Sequence, residues 1–110
     1  MVERCDNFSG LNIIHSVSGG TGSGVTCRFL ENFARDYRKK TKLTFTLHPS
    51  MKGTGEDTIV APYNACHAMA NLKETSDLTV LFQNQALYEL CRSALRVEQP
   101  NFLNINRMIA

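Results

Sequence analysis

The chain has no apolar run approaching the ~18 residues that a membrane span requires, and its first residues, Met1 to Asp6, lack the basic-then-apolar layout of a secretory leader. Both absences predict a cytoplasmic protein that does not enter a membrane. The charge excess is small as well. A formal +2 over 110 residues does not argue for a nucleic-acid partner. The one basic cluster, Arg35, Arg38, Lys39, Lys40 and Lys42, falls where a helix is expected to end, and cations there complement the helix dipole. Four cysteines, Cys5, Cys27, Cys66 and Cys91, form no C-x-x-C pair, which speaks against a zinc site and a secreted disulfide framework. They read as reduced, mostly buried thiols; Cys27, in a first helical turn, sits where a thiol pKa can fall. Internal repeats, linkers and low-complexity tracts are also missing.

What is present alternates between short apolar runs and longer amphipathic ones. Residues 11–17 read as a strand that runs into a glycine-rich loop. From residue 23 to about 38, Val25, Phe29, Phe33 and Tyr37 recur at the four-residue spacing of one helix face. Residues 43–47 form a second strand, rich in β-formers. A turn-like stretch over 49–57 precedes a helix over 59–72, with Pro62 tolerable in its first turn. Residues 78–82 give a third strand, Asn84 stands where it can cap a following helix, and a last helix starts near Phe102. Alternation of strands and helices implies parallel strands with right-handed crossovers. The expected fold is therefore α/β, a three-layer Rossmann-like partial parallel sheet with helices on both faces. Three strands make a thin sheet whose edges need partners, so residues 1–110 read as part of a domain, incomplete at both ends and of marginal stability alone.

The strongest local signal is Gly19-Gly20-Thr21-Gly22-Ser23-Gly24, between a strand and a helix. In open parallel sheets ligands sit at the carboxyl ends of strands, and a helix N-terminus there offers unpaired N–H groups and partial positive charge to a phosphate. Glycine permits close backbone approach and positive φ, and the Thr21 and Ser23 hydroxyls are candidate further donors. This is neither a P-loop, since Val25-Thr26 stand where lysine would follow, nor a G-x-G-x-x-G fingerprint, since Val25 occupies the last glycine position. Backbone donors would have to bind. The competing reading is an ordinary tight turn between strand and helix. His15, in the strand, reads as a buried and paired side chain with no metal partner in view.

The residues from His15 to Gly24 resemble the tubulin signature, in which GGGTGSG follows a strand. Three further blocks agree in order. Asp57 to Asn64 resembles the tubulin segment ending in PYN, Gln83 to Cys91 its N-x-A-L-Y-x-x-C helix, and Pro100 to Asn106 the start of its central helix. The resemblance implies a division of labour. Gly19, Gly20, Thr21, Gly22 and Ser23, with Ser16 and Ser18 alongside, would wrap the phosphates of GTP or GDP, and Asp57 would lie near the ribose and the neighbouring subunit. Asn84 and Asn106 would pair with the guanine edge, an amide offering both donor and acceptor. Phe102 takes the place of a tyrosine that stacks on the base. Partners would be other tubulin subunits of the microtubule cytoskeleton.

Two departures stand out: Ser18 replaces the first glycine of the usual triplet, and Ala61 an acidic residue that contacts ribose. Residues 5–10 and 53–56 look like the delta type, which is associated with centrioles and basal bodies; another divergent tubulin is the alternative. In this family the loops that complete a Mg²⁺ site and activate water lie outside these residues, so the resemblance implies nucleotide positioning without turnover by this piece alone. Two other functions compete: a truncated product that binds no nucleotide and acts as an interaction fragment, and a generic α/β phosphate-binding enzyme.

Overall fold

In the computed structural model, which describes residues 2–49, 59–96 and 99–110, strands β1 (Gly10–Ser16), β2 (Thr41–His48) and β3 (Leu78–Gln83) form one parallel sheet in the order β1-β2-β3. The connections carry helices α1 (Thr26–Asp36) and α2 (Ala61–Thr75); α3 (Asn84–Ala94) leaves directly from β3, and α4 (Phe102–Ile109) packs beside it. The fold is α/β and Rossmann-like, as the alternating pattern predicts. Asp57 and the glycines of residues 53–55 lie outside the described residues.

Register sorts the strand side chains onto two faces. Ile13, Thr44 and Thr79 share one face, and Ile14, Phe45 and Val80 the other. On the first face Ile13 and Val17 meet Cys27 and Leu30 of α1 and Ala65, Ala68, Met69 and Leu72 of α2. Three alanine-sized or thiol side chains let the two helices lie close to the strands. Each of the buried leucines contributes roughly 1.5–3 kcal/mol by leaving water. Thr44 and Thr46 are wholly buried on this face, and each has a partner: Thr44 Oγ1 donates to Thr79 Oγ1 at 2.9 Å, and Thr46 Oγ1 meets His15 Nε2 at 3.0 Å. The opposite face leaves Ile14 85% exposed, with Leu47 and Leu78 exposed too.

The four-residue aromatic spacing builds a ladder along α1: Phe29 stacks near Phe33 and Phe33 on Tyr37, with Phe8 edge-on to both Phe33 and Tyr37 at 5.8 Å. Phe8 thereby ties the segment before β1 to the helix.

Four local expectations change. Helix α1 stops at Asp36, so the basic residues do not form one cap: Arg35 lies in the last turn, whereas Lys42 belongs to β2 and its side chain is only 7% exposed. Its Nζ binds Asp77 Oδ2 at 3.0 Å and the Lys40 carbonyl at 3.0 Å, and its N–H donates to the same carboxylate oxygen at 2.7 Å. Strand β2 starts at Thr41, which pairs with Gly10 of β1, two residues before the predicted start. Asn84 is the first residue of α3 rather than its cap; Gln83 holds the cap position with no side-chain bond. Real capping occurs at α4, where the Asn101 side chain accepts from the Asn104 N–H at 3.1 Å. Of the cysteines, Cys27 and Cys91 are buried but Cys5 and Cys66 are exposed.

Candidate nucleotide site

The glycine segment lies at the carboxyl end of β1, where Val17 N–H still pairs with the Leu47 carbonyl at 3.1 Å. It is less a loop than the start of a helix. Residues Thr21–Val25 form a single widened turn of π type that runs into α1, and Gly20 is already helical at φ −66°, ψ −42°. None of Gly19, Gly20, Gly22 or Gly24 has left-handed φ. Positive φ is thus not why glycine stands here, and close approach is. A Cβ on Gly22 would collide with the Ser16 carbonyl oxygen, so only glycine lets this turn press against the end of β1. Gly19, Gly20 and Gly24 have nothing within 4 Å of the same position, which leaves their backbone approachable from outside.

The first helical bond runs from Ser23 N–H to the Gly19 carbonyl at 3.2 Å. The N–H groups of Gly20, Thr21 and Gly22 precede it and are the orphan donors of the helix start. Ser23 itself is turned inward. It is buried, and its Oγ–H is directed to the Gly19 carbonyl at 2.6 Å, with the Gly20 carbonyl at 3.2 Å. The hydroxyl expected as a phosphate donor is therefore occupied in shaping the turn; Thr21 is exposed. Ser16 Oγ and Ser18 Oγ meet at 2.9 Å, and Ser18 N–H reaches Ser16 Oγ at 3.4 Å.

Two struts that sequence reasoning missed hold the segment from outside. Asn64 Nδ2, in the first turn of α2, donates to the Ser18 carbonyl at 3.1 Å. His15 reaches from β1 to the Gly22 carbonyl with Nδ1 at 2.8 Å, while its Nε2 meets Thr46. The PYN resemblance pointed at Asn64's neighbourhood without giving it this role. For His15 the reading as a paired strand side chain holds, though it named neither partner and the side chain is half-buried. On the α2 side the turn borders a cavity of about 280 Å³ lined in part by Gly20, Ser23, Gly24, Asn64 and His67. Cys27, deeper in this wall, is no activated thiol. Burial pushes its pKa up, and the Glu31 charge adds to that, so the helix start does not lower it.

The residues expected at the base form a second group. Asn84 is half-buried at the head of α3, with Tyr88 one turn on. Phe102 and Asn106 lie one turn apart on α4; Phe102 is 67% exposed, and Asn106 is exposed too. Tyr88 meets the Phe102 ring edge-on at 6.4 Å, which couples the two helices. Tyr88 is thus a packing residue, and Phe102 keeps an open face.

Residues 1–92 match the model of the Tubulin/FtsZ family, GTPase domain. The chain belongs to that family. It is 43% identical to the tubulin alpha chain of the Guillardia theta nucleomorph over 110 residues, and 40% identical to the tubulin alpha-4 chain of Drosophila melanogaster over the same length. The whole chain is covered in both matches, but only 24% and 23% of those relatives. This tubulin-family chain thus spans about a quarter of the curated relatives that it matches. Among its described residues no group of three His, Cys, Asp or Glu could hold a metal, and no helix is long and apolar enough to cross a membrane.

Proposed function

We propose that the chain supplies the phosphate and guanine contacts of a GTP-binding tubulin-type subunit, which assembles with other tubulin subunits in the cytoplasmic cytoskeleton. The observation that carries this reading is the turn itself. Three orphan amides, Gly20, Thr21 and Gly22, stand at the end of a parallel strand beside glycines that open to solvent. A triphosphate suits such a place, because charge-assisted bonds to backbone N–H are worth about 1.5–3 kcal/mol each. Asn84 and Asn106 offer donor and acceptor to a guanine edge, and the exposed Phe102 ring offers a stacking face worth roughly 1–3 kcal/mol. Asp57 would face the ribose side. Mg²⁺ would neutralise the phosphates when bound, with ligands from outside this chain.

The test is nucleotide binding by the protein expressed from its complete reading frame. A Cβ at Gly20 would meet no neighbour, so Gly20→Val should abolish GTP binding while leaving the melting temperature nearly unchanged. Gly22→Val collides with the Ser16 carbonyl and should lose both binding and stability. Survival of binding in both variants would show that the phosphates lie elsewhere.

A finer placement at centrioles or basal bodies draws on the delta-type likeness of residues 5–10 and 53–56, and on Ser18 and Ala61. A tagged chain that decorates whole microtubule arrays instead of these bodies would remove it.

A further inference from the structure

We propose that His15 is a positioning residue for the glycine turn, a clamp that fixes the Gly22–Ser23 peptide unit and with it the orphan amides before it. The inference rests on the phosphate reading of that turn. A carbonyl oxygen only accepts, so the contact of Nδ1 with the Gly22 carbonyl at 2.8 Å places the ring proton on Nδ1. In the neutral ring Nε2 is then the acceptor, and the Thr46 hydroxyl donates to it at 3.0 Å. Thr46 is wholly buried, so its hydroxyl has no water to turn to, and this contact holds the ring orientation.

The peptide unit so reached is gripped at both ends. Its carbonyl takes the His15 proton, and its N–H, that of Ser23, donates to the Gly19 carbonyl at 3.2 Å. Gly22 Cα meanwhile rests against the Ser16 carbonyl with no room for a Cβ. A peptide plane is rigid, so fixing this one restricts how the amides of Thr21 and Gly22 point. A widened turn with glycines at 20, 22 and 24 has little stiffness of its own. The connection therefore runs from β2 through Thr46 and His15 to the phosphate-facing backbone.

Two variants separate positioning from bulk. His15→Asn puts an amide N–H close to where Nδ1–H stood and keeps a donor for Gly22, whereas His15→Leu fills the space without one. Both lose the Thr46 contact. In the protein from its complete reading frame, His15→Leu should weaken GTP binding about tenfold and His15→Asn by no more than about threefold. Without nucleotide, hydrogen exchange of the amides over residues 20–24 should quicken in the Leu variant and stay near wild type in the Asn variant. Equal losses in the two variants, or unchanged exchange and affinity in His15→Leu, would overturn the proposal. Should His15→Leu not fold, His15→Ala, which also removes the donor to Gly22, decides in its place, with faster exchange over the same amides expected and unchanged exchange fatal. A wild-type protein that binds no GTP would remove the phosphate reading alone, since the exchange measurement reads the clamp without ligand.

Discussion

The two faces of the sheet differ in what they have been asked to bury. On the α1/α2 face the strands contribute Ile13 and Val17, but also three polar side chains, Lys42, Thr44 and Thr46, all buried and all hydrogen-bonded. On the other face β2 presents Leu43, Phe45 and Leu47 after Thr41, and β3 presents Leu78, Val80 and Phe82; the last stacks on Phe45 at 6.4 Å. Yet Ile14 on that face is 85% exposed, against none for Val17 on the first. The apolar face is the open one. Polar groups tolerate burial where partners are built in, as on the helix face, while a broad apolar surface calls for a cover. The site belongs to the covered face: His15 and Thr46, which brace the turn, are members of it.

This contrast predicts where truncation should hurt most. Leu72→Ala and Leu30→Ala remove side chains that are 1% and 0% exposed at the α1/α2 contact. Each should lower unfolding free energy by about 2–5 kcal/mol in denaturant melts of the complete protein. A loss below about 1 kcal/mol at both sites would mean that the packing of these helices on the sheet is not the principal core.

Much of this was legible beforehand, and the rest was not, for identifiable reasons. Short apolar runs rich in β-formers located the three strands among the described residues, and longer amphipathic runs the four α-helices, because each leaves a mark within a few residues of chain; the short 3-10 turn Val2–Arg4 was not anticipated. Glycine spacing after residues 11–17 located the turn. The grip on that turn was not readable, since His15–Thr46 and Asn64–Ser18 join residues 31 and 46 apart in the chain. Lys42 shows the same limit. Grouped by proximity with Arg38, Lys39 and Lys40, it reads as one more surface cation, but strand register sets it beside Asp77 instead. Ser23 is a subtler case: nothing local to the sequence says whether its proton points out to a ligand or back to Gly19, where it lies. The bare face departs from the expected helices on both faces: α1 and α2 pack on the same side of the sheet, and Ile14 and Leu78 on the other stay exposed.

The Lys42–Asp77 pair sharpens the comparison, because it is a polar contact placed at the margin of the covered face. Hydrogen bonds from the Lys42 ammonium and, next, from the Lys42 backbone N–H hold the Asp77 carboxyl below its ordinary pKa. A carboxyl whose folded pKa is depressed contributes stability fully above its unfolded value and loses it as pH falls through the folded one. Stability should accordingly drop below about pH 4, and less so in Asp77→Asn. At neutral pH the same substitution should cost about 1 kcal/mol or less, well short of the loss for a fully buried pair, since the Asp77 side chain is 52% exposed. An acid-melting curve identical in wild type and Asp77→Asn would assign the acid sensitivity to other carboxylates.

The smallest effect is expected on the open face, and it depends on which polypeptide is measured. In the 110-residue chain, Ile14→Thr exchanges one β-branched side chain for another at a position in water. Unfolding free energy should therefore move by less than about 0.5 kcal/mol. Solubility should rise, and binding of a hydrophobic dye such as ANS should fall, because Ile14 is the most exposed apolar group on that face. In the protein from its complete reading frame, a covered face would raise the cost above about 1 kcal/mol, through a buried hydroxyl without a partner. The difference between the two measurements, rather than either alone, reports whether other segments lie over β1. A negligible effect in both would mean that this apolar face meets solvent in the native protein, and that no other segment covers β1 there.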